Sequence, residues 1–285
     1  MIIQKITITA KLFNLERVVF YESEVCNMGS KTKQKKLIEN KKEKSMDLEE
    51  MLNKYKTKSM TNWKDLNSDL IITDPPFGID FDGKNGNYNR DVGNVVKGYV
   101  EWKKNDYKNK IKNLLSVIYD NLNDQGQSLI FSGWNNSNII HNSILNFKDM
   151  NLEGKLYWSY NFAPYCKKRP AHNIYEIYWL VKGDSWTYNN ECNTKHCQKG
   201  EGNLSTLIFK RDYKKNMPKY PTRLPYNLLK CLLEHFTNKN DLVFDPLAGS
   251  GMLGIVANDL GRDFMLGDLN KKGKEVYKEL IKHYY

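Results

Sequence analysis

The sequence predicts an α/β protein built on a doubly wound, mostly parallel sheet. Three observations carry that expectation. The short apolar runs Leu70-Ile71-Ile72, Leu242-Val243-Phe244 and Phe264-Met265-Leu266 have the length of buried strands. Helical periodicity fills spans between such runs, as in Ile111, Leu114, Leu115, Ile118 and Leu122. Each of the three runs is followed closely by an acid, Asp74, Asp245 or Asp268, at the edge where open α/β sheets gather their chemistry.

Asp74-Pro75-Pro76-Phe77 closes the first strand. Two prolines fix φ twice and hold the turn rigid. They carry no N–H, so the local backbone presents carbonyls and no competing donors. A carboxylate beside a carbonyl is a pair of acceptors matched to one amino group, and Phe77 adds a flat apolar surface for a planar ring. The stretch reads as a site for an amine on an aromatic base. A strand leaving its sheet through an ordinary Asp-Pro turn would look the same in these four residues alone.

A second element, Asp241 to Gly254, strengthens the first. The strand Leu242–Phe244 runs into the tight turn Gly249-Ser250-Gly251, then a helix over about 252–260 that Gly261 ends as a C-cap. The strand Phe264–Leu266 and Asp268 follow. This is the order that a ribose-binding βαβ unit needs, with Asp268 placed to accept from ribose hydroxyls. No Gly-Lys-Ser/Thr follows the glycines, which speaks against a Walker loop. There is no second half to hold the other nucleotide of a dinucleotide. Asp245 and Asp268 suit a cationic, phosphate-free ligand such as S-adenosylmethionine.

Asp74-Pro75-Pro76-Phe77 resembles the catalytic motif of the amino DNA methyltransferases, which methylate N6 of adenine or N4 of cytosine. Phe244-Asp245-Pro246-Leu247-Ala248-Gly249-Ser250-Gly251 resembles their cofactor motif. Tyr220-Pro221-Thr222-Arg223-Leu224-Pro225 is similar to the His-Pro-Thr-x-Lys-Pro segment that precedes it, with Tyr220 and Leu224 standing where His and Lys are usual. Catalytic motif first and cofactor motif last is the order of the permuted β class. RNA and protein-amide methyltransferases with a similar Pro-Pro-aromatic motif usually carry the glycines first.

The resemblance implies a circularly permuted, Rossmann-like methyltransferase domain over 46–285 with a small target-recognition insertion. Its catalytic half covers about 65–182, the target-recognition segment about 183–217 and the cofactor half about 218–285, after a basic extension over 1–45. Asp74, Pro75, Pro76 and Phe77 would be catalytic. Asp245, Pro246, Ala248, Gly249, Gly251 and Asp268, with Thr222 and Leu224, would hold S-adenosylmethionine. The implied reaction is methyl transfer to adenine N6 in DNA, because Asp at the first motif position goes mostly with adenine in the family. Cytosine N4 is the alternative within the class, and a nucleotide-binding module the alternative outside it. The implied partner is double-stranded DNA; a cognate restriction endonuclease and a homodimer stay open.

Composition agrees. Forty-four Lys+Arg against 33 Asp+Glu give a net charge of +11, which suits a polyanionic partner or is plain basicity. Five cysteines, an odd number, point to free thiols. No apolar run approaches the roughly 18 residues of a membrane span, and the first ten residues are too polar for a secretory signal. The expected setting is the cytoplasm of a prokaryote or a phage-infected cell.

The remaining elements follow in order. Residues 1–27 alternate apolar and polar, and a lysine-rich stretch from Met28-Gly29 to about Lys44 reads as a solvated or DNA-facing segment. Met28 is a candidate natural start. A helix is expected over 47–55, with Leu48, Met51, Leu52 and Tyr55 inward. Residues 79–106 form a long loop with Arg90 and Lys97 as phosphate candidates. A helix over about 107–122, a strand over 128–132 ending at Gly133-Trp134-Asn135, and a helix over about 136–146 come next. Strands over 155–162 and 174–182 form a paired edge around the basic turn Pro164–Pro170. Its Lys167, Lys168 and Arg169 suit DNA phosphates, or a solvated hairpin tip. Trp134 or Tyr160 would line the base pocket opposite Phe77. Residues 183–217 are polar, irregular and short on core residues. Within them Cys192, His196 and Cys197 crowd three potential ligands into six residues without paired knuckle spacing, so no metal is expected. Helices over 225–236 and from about 271 complete the chain.

Overall fold

The computed structural model describes residues 46–79, 101–160, 167–168, 170–192, 194, 204–212, 216–220 and 222–285. The first elements are helix α1 (Leu48–Asn53), strands β1 (Tyr55–Thr57) and β2 (Ser68–Thr73), helix α2 (Tyr107–Asn121), strand β3 (Leu122–Ser132) and helix α3 (Ser137–Leu145). Strands β4 (Asn151–Ser159), β5 (Ile174–Val181) and β6 (Thr206–Ile208) follow. Helix α4 (Tyr226–Phe236), strand β7 (Leu242–Asp245), helix α5 (Met252–Asp259), strand β8 (Asp263–Asp268) and helix α6 (Lys271–Tyr284) end the chain.

The strands make one sheet in the order β1-β8-β7-β2-β3-β5-β4-β6. Its pairs are parallel except those of β5, which runs against β3 and β4. Side chains of the central strands alternate between two buried faces. Leu70 and Ile72, Leu129 and Phe131, Val243, Phe264 and Leu266 face α4, α5 and α6. Ile71, Ile130 and Phe244 face α2 and α3. Covering both faces is why these strands read as unbroken apolar runs rather than alternating ones. The strand order turns back between β2 and β7, where Leu70 pairs with Val243 and Ile71 with Phe244. Asp74 and Asp245 therefore emerge at one edge, at the crevice where such sheets bind ligands.

Several expectations need correction. The first helix stops at Asn53, and Tyr55 joins β1, pairing with Leu266 of β8. Leu48, expected inward, is 47% exposed. β3 begins at Leu122, six residues early, because the polar run Asn123-Asp124-Gln125 passes through a register shift against β2 rather than a loop. β4 and β5 pair as expected, but β6 covers β4, so β4 is not the edge. The supposedly core-poor segment contributes Leu207, Phe209 and Met217 to the larger core cluster. Three alternating residues in β6 are too few to show a period. The expectation of free thiols fails at Cys192, whose sulfur takes part in a disulfide. Among the described residues, no helix is long and apolar enough to cross a membrane.

Candidate active site

The loop after β2 is braced from outside its own sequence. Asn136 Nδ2 donates to the Phe77 carbonyl at 2.6 Å and to the Gly78 carbonyl at 3.1 Å. Glu101 Oε1 accepts from Gly78 N at 2.7 Å. Gly78 has φ +64°, and a Cβ there would lie 2.5 Å from Tyr107 Cδ2, so the turn needs glycine. Within this frame Asp74 Oδ1 is buried with no hydrogen-bond partner. Burial pushes the Asp74 carboxyl up to about 7; the Arg211 guanidinium pulls it down and Glu101 adds to the rise. A buried carboxylate oxygen without a donor is costly, and a ligand N–H would relieve that cost.

Phe77 contacts Tyr175 with ring centroids 5.4 Å apart. Tyr175 in turn meets Trp158 at 5.1 Å and Tyr160 at 5.9 Å. Arg211 donates from Nη2 to Tyr175 Oη at 2.9 Å, and its guanidinium lies 4.5 Å from the Tyr160 ring centroid. The result is an aromatic wall with a fixed cation beside Asp74. Trp134, 46% exposed, meets His172 at 5.4 Å instead.

On the other side of the switch point the acids are already satisfied. Asp245 Oδ1 accepts from Leu247 N at 2.9 Å. Burial lifts its carboxyl to about 8 against that bond, with the Asp268 and Asp74 charges adding to the rise. Asp268 accepts from Gly249 N at 2.9 Å and from Asn270 N at 2.7 Å. Its carboxyl is also raised, by burial, with those two bonds opposing. Gly251 has φ +75° and opens α5, and a Cβ there would sit 2.5 Å from Tyr277 Cδ2. Tyr55 Oη donates to the Gly249 carbonyl at 2.7 Å. Pro246 is buried beside Asp245, and Ala248 N donates to the Gly267 carbonyl at 2.8 Å. Tyr220, in the place of the usual His, packs against Gly249. Thr222 is exposed with φ +58°, a strained value for a β-branched residue, and Leu224 packs against the core.

A family model described as DNA methylase (N6_N4_Mtase) matches residues 68–279. The chain belongs to this DNA methylase family. The DNA adenine methyltransferase YhdJ of Escherichia coli (strain K12) is 26% identical over 241 residues, covering 75% of this chain and 74% of that protein. Among solved structures, the M1.HpyAVI-SAM complex aligns with a TM-score of 0.57 and 22% identity over 76% of this chain and 89% of its own. The PvuII cytosine-N4-specific DNA methyltransferase also scores 0.57, at 13% identity over 80% of this chain and 95% of its own. The two structural likenesses are of fold, the Rossmann-like methyltransferase sheet.

In this DNA methylase the Asp74–Phe77 turn and the glycine turn lie at one edge of the sheet. Lys167 and Lys168 are exposed; Arg90, Lys97 and Arg169 lie outside the described residues. Sequence reasoning missed Glu101, Asn136, Tyr175 and Arg211, which reach the loop from four separate segments. No motif carries them, since their roles arise only from tertiary contact.

Proposed function

We propose that the chain transfers the methyl group of S-adenosylmethionine to N6 of adenine in double-stranded DNA. The buried, unpartnered Asp74 Oδ1, facing the switch point beside the glycine turn, carries this reading. The cofactor side fits S-adenosylmethionine: the Gly249–Gly251 turn leaves room for close backbone approach, and Asp268 keeps lone pairs for ribose hydroxyls. When bound there, that molecule supplies an already activated sulfonium methyl. Asp245, Pro246, Ala248, Thr222 and Leu224 line the same side.

Asp74 and the Pro75 carbonyl accept the two N–H bonds of the exocyclic amine. That favours a pyramidal nitrogen and returns its lone pair from the ring. Acceptors placed in this way contribute on the order of 10²–10³ in rate. Phe77 stacks on the base, Tyr160 and Tyr175 close the wall, and Arg211 holds that wall in place. The base leaves the helix at a cost of a few kcal/mol. Lys167 and Lys168 meet phosphates, and the segment about 183–217 reads the target sequence. Adenine is favoured by Asp at the first motif position and by the adenine specificity in YhdJ's name. A cognate endonuclease and cytoplasmic action complete the proposal.

Methylated DNA digested to nucleosides and separated by mass spectrometry tests it. N6-methyladenine alone is expected; N4-methylcytosine alone would overturn the base assignment, and no methylated base the whole reading.

A further inference from the structure

We propose that Arg211 is a positioning residue of the candidate active site, fixing Tyr175 in place and keeping Asp74 in its acceptor form. This rests on the methyl-transfer reading above and gives Arg211 a task at the same acceptor. Arg211 follows β6 and belongs to none of the motifs in the sequence. Its guanidinium centre lies 4.5 Å from the Tyr160 ring centroid, 4.8 Å from that of Trp158 and 5.3 Å from that of Tyr175. Nη2 donates to Tyr175 Oη at 2.9 Å. A planar cation with N–H groups on its rim can lie against rings and donate sideways. A lysine ammonium lacks that plane.

The backbone on both sides of Arg211 is anchored. Phe209 N donates to the Ser159 carbonyl at 3.1 Å, and Trp158 Nε1 to the Phe209 carbonyl at 2.9 Å. Leu207 and Phe209 are buried in the core. On the other side, Asp212 Oδ2 accepts from Tyr226 N, at the start of α4, at 2.7 Å. The cation is thus delivered to the aromatic wall by a stretch pinned to β4 and to α4.

The path from Arg211 to Asp74 is short. Tyr175 bears on Phe77 with centroids 5.4 Å apart, and Phe77 ends the turn that Asp74 begins. Asp74 Oδ1 has no hydrogen-bond partner, so Arg211 reaches that oxygen through space. Such attraction is strong where water is excluded. The other groups around Asp74 offer no help to its negative charge. Burial lifts its carboxyl to about 7, and Glu101, ahead of α2, adds to the rise. Burial above all raises the hydroxyls of Tyr107 in α2 and Tyr175 in β5, so both stay neutral. Asp245 in β7, itself raised by burial to about 8, is a second acid across the seam. Among the described residues only Arg211 pulls the Asp74 carboxyl down by its charge. Without that pull Asp74 would be protonated at neutral pH, presenting a hydroxyl where the amine needs an acceptor.

The test uses the full chain, without DNA or cofactor, carrying carboxyl-labelled aspartate. Carbon NMR follows the Asp74 titration, with Asp74→Asn identifying the resonance. Arg211→Met removes the charge at similar length and should raise the midpoint by about one pH unit or more. Arg211→Lys should restore most of the parent midpoint. Should Arg211→Met fail to fold, Arg211→Gln, which retains an N–H donor for Tyr175 but no charge, gives the same readout. An unmoved midpoint in the uncharged variant overturns the proposal. This readout needs no turnover, so it stands apart from any failure of the methyl-transfer reading. In the methylation assay the uncharged variant should lose at least about tenfold in kcat at pH 7, the effect of one pH unit on a group of that kind. Rising pH should recover part of that loss, with KM for DNA changed less. A loss of equal size at pH 7 and pH 9 would mean a wall without a charge effect and overturns the proposal.

Discussion

Asp74 and Asp268 stand at one edge of one sheet, yet their neighbours treat them differently. Asp268 accepts two backbone N–H bonds, from Gly249 and Asn270, and so binds its own turn together. Asp74 Oδ1 has no donor. The Asp268 carboxylate is therefore satisfied within its own turn, whereas Asp74 keeps an unmet acceptor that an incoming N–H would satisfy. On the proposed function, a braced acid on one side and an unmet acceptor on the other would divide binding from chemistry along the seam between β2 and β7.

The sharpest break in that comparison is Asp74→Ala. Single-turnover methylation should fall by about 10²–10³ or more, while calorimetry finds S-adenosylmethionine affinity within a few-fold of the parent. Equal losses in both would erase the division. Acidity probes the same residue. With its carboxyl at about 7 in the folded protein, kcat/KM should drop below about pH 7 and level off above it, as protonation removes the acceptor. The stability effect has the opposite sense. The folded carboxyl titrates above the unfolded value of about 3.9, so ionisation favours unfolding as pH rises from about 4 to 7. Asp74→Asn should thus raise the stability of the ligand-free protein above pH 7, on the order of 1–3 kcal/mol. The gain should vanish below about pH 4; denaturant curves at both pH values decide it.

Gly251→Ala tests the preorganised side. A left-handed alanine costs about 1–2 kcal/mol, and its Cβ meets Tyr277, so thermal unfolding should show a loss of about 2–4 kcal/mol. An unshifted melting temperature would mean that the turn adapts. Asp268→Ala should weaken S-adenosylmethionine by about 1–3 kcal/mol; unchanged calorimetric affinity removes Asp268 from the site. The smallest effect is expected at the rim. Lys167→Ala with Lys168→Ala should lower the slope of log DNA affinity against log salt by roughly 0.9 per lost contact, and an unaltered slope makes both bystanders.

The two halves were unequally legible. The glycine-turn half is local: Asp245, Gly249, Gly251 and Asp268 fall within one strand-turn-helix-strand unit, and chain neighbours set its conformation. Motif, spacing and cap residues therefore suffice to place β7, α5 and β8. The Asp74–Phe77 motif was as readable, but the groups that brace it were not. Glu101, Asn136, Tyr175 and Arg211 have unremarkable sequence surroundings, and only strand order brings them to Asp74. Short elements failed for a related reason. β1 and β6 have three residues each, too few for a period, and each exists because a neighbouring strand offers its edge.

The pairing of β1 with β8 also has a consequence for synthesis. Tyr55 lies beside Leu266, and its hydroxyl reaches the Gly249 carbonyl, so partners some two hundred residues apart in the chain must meet. Such non-local pairing slows folding, since loop-closure entropy precedes any reward. While the ribosome is still making residues 240 to 268, β1 and the β7-facing edge of β2 have no partners to pair with. A nascent chain at that stage presents unpaired strand edges of the kind chaperones shield and aggregates recruit.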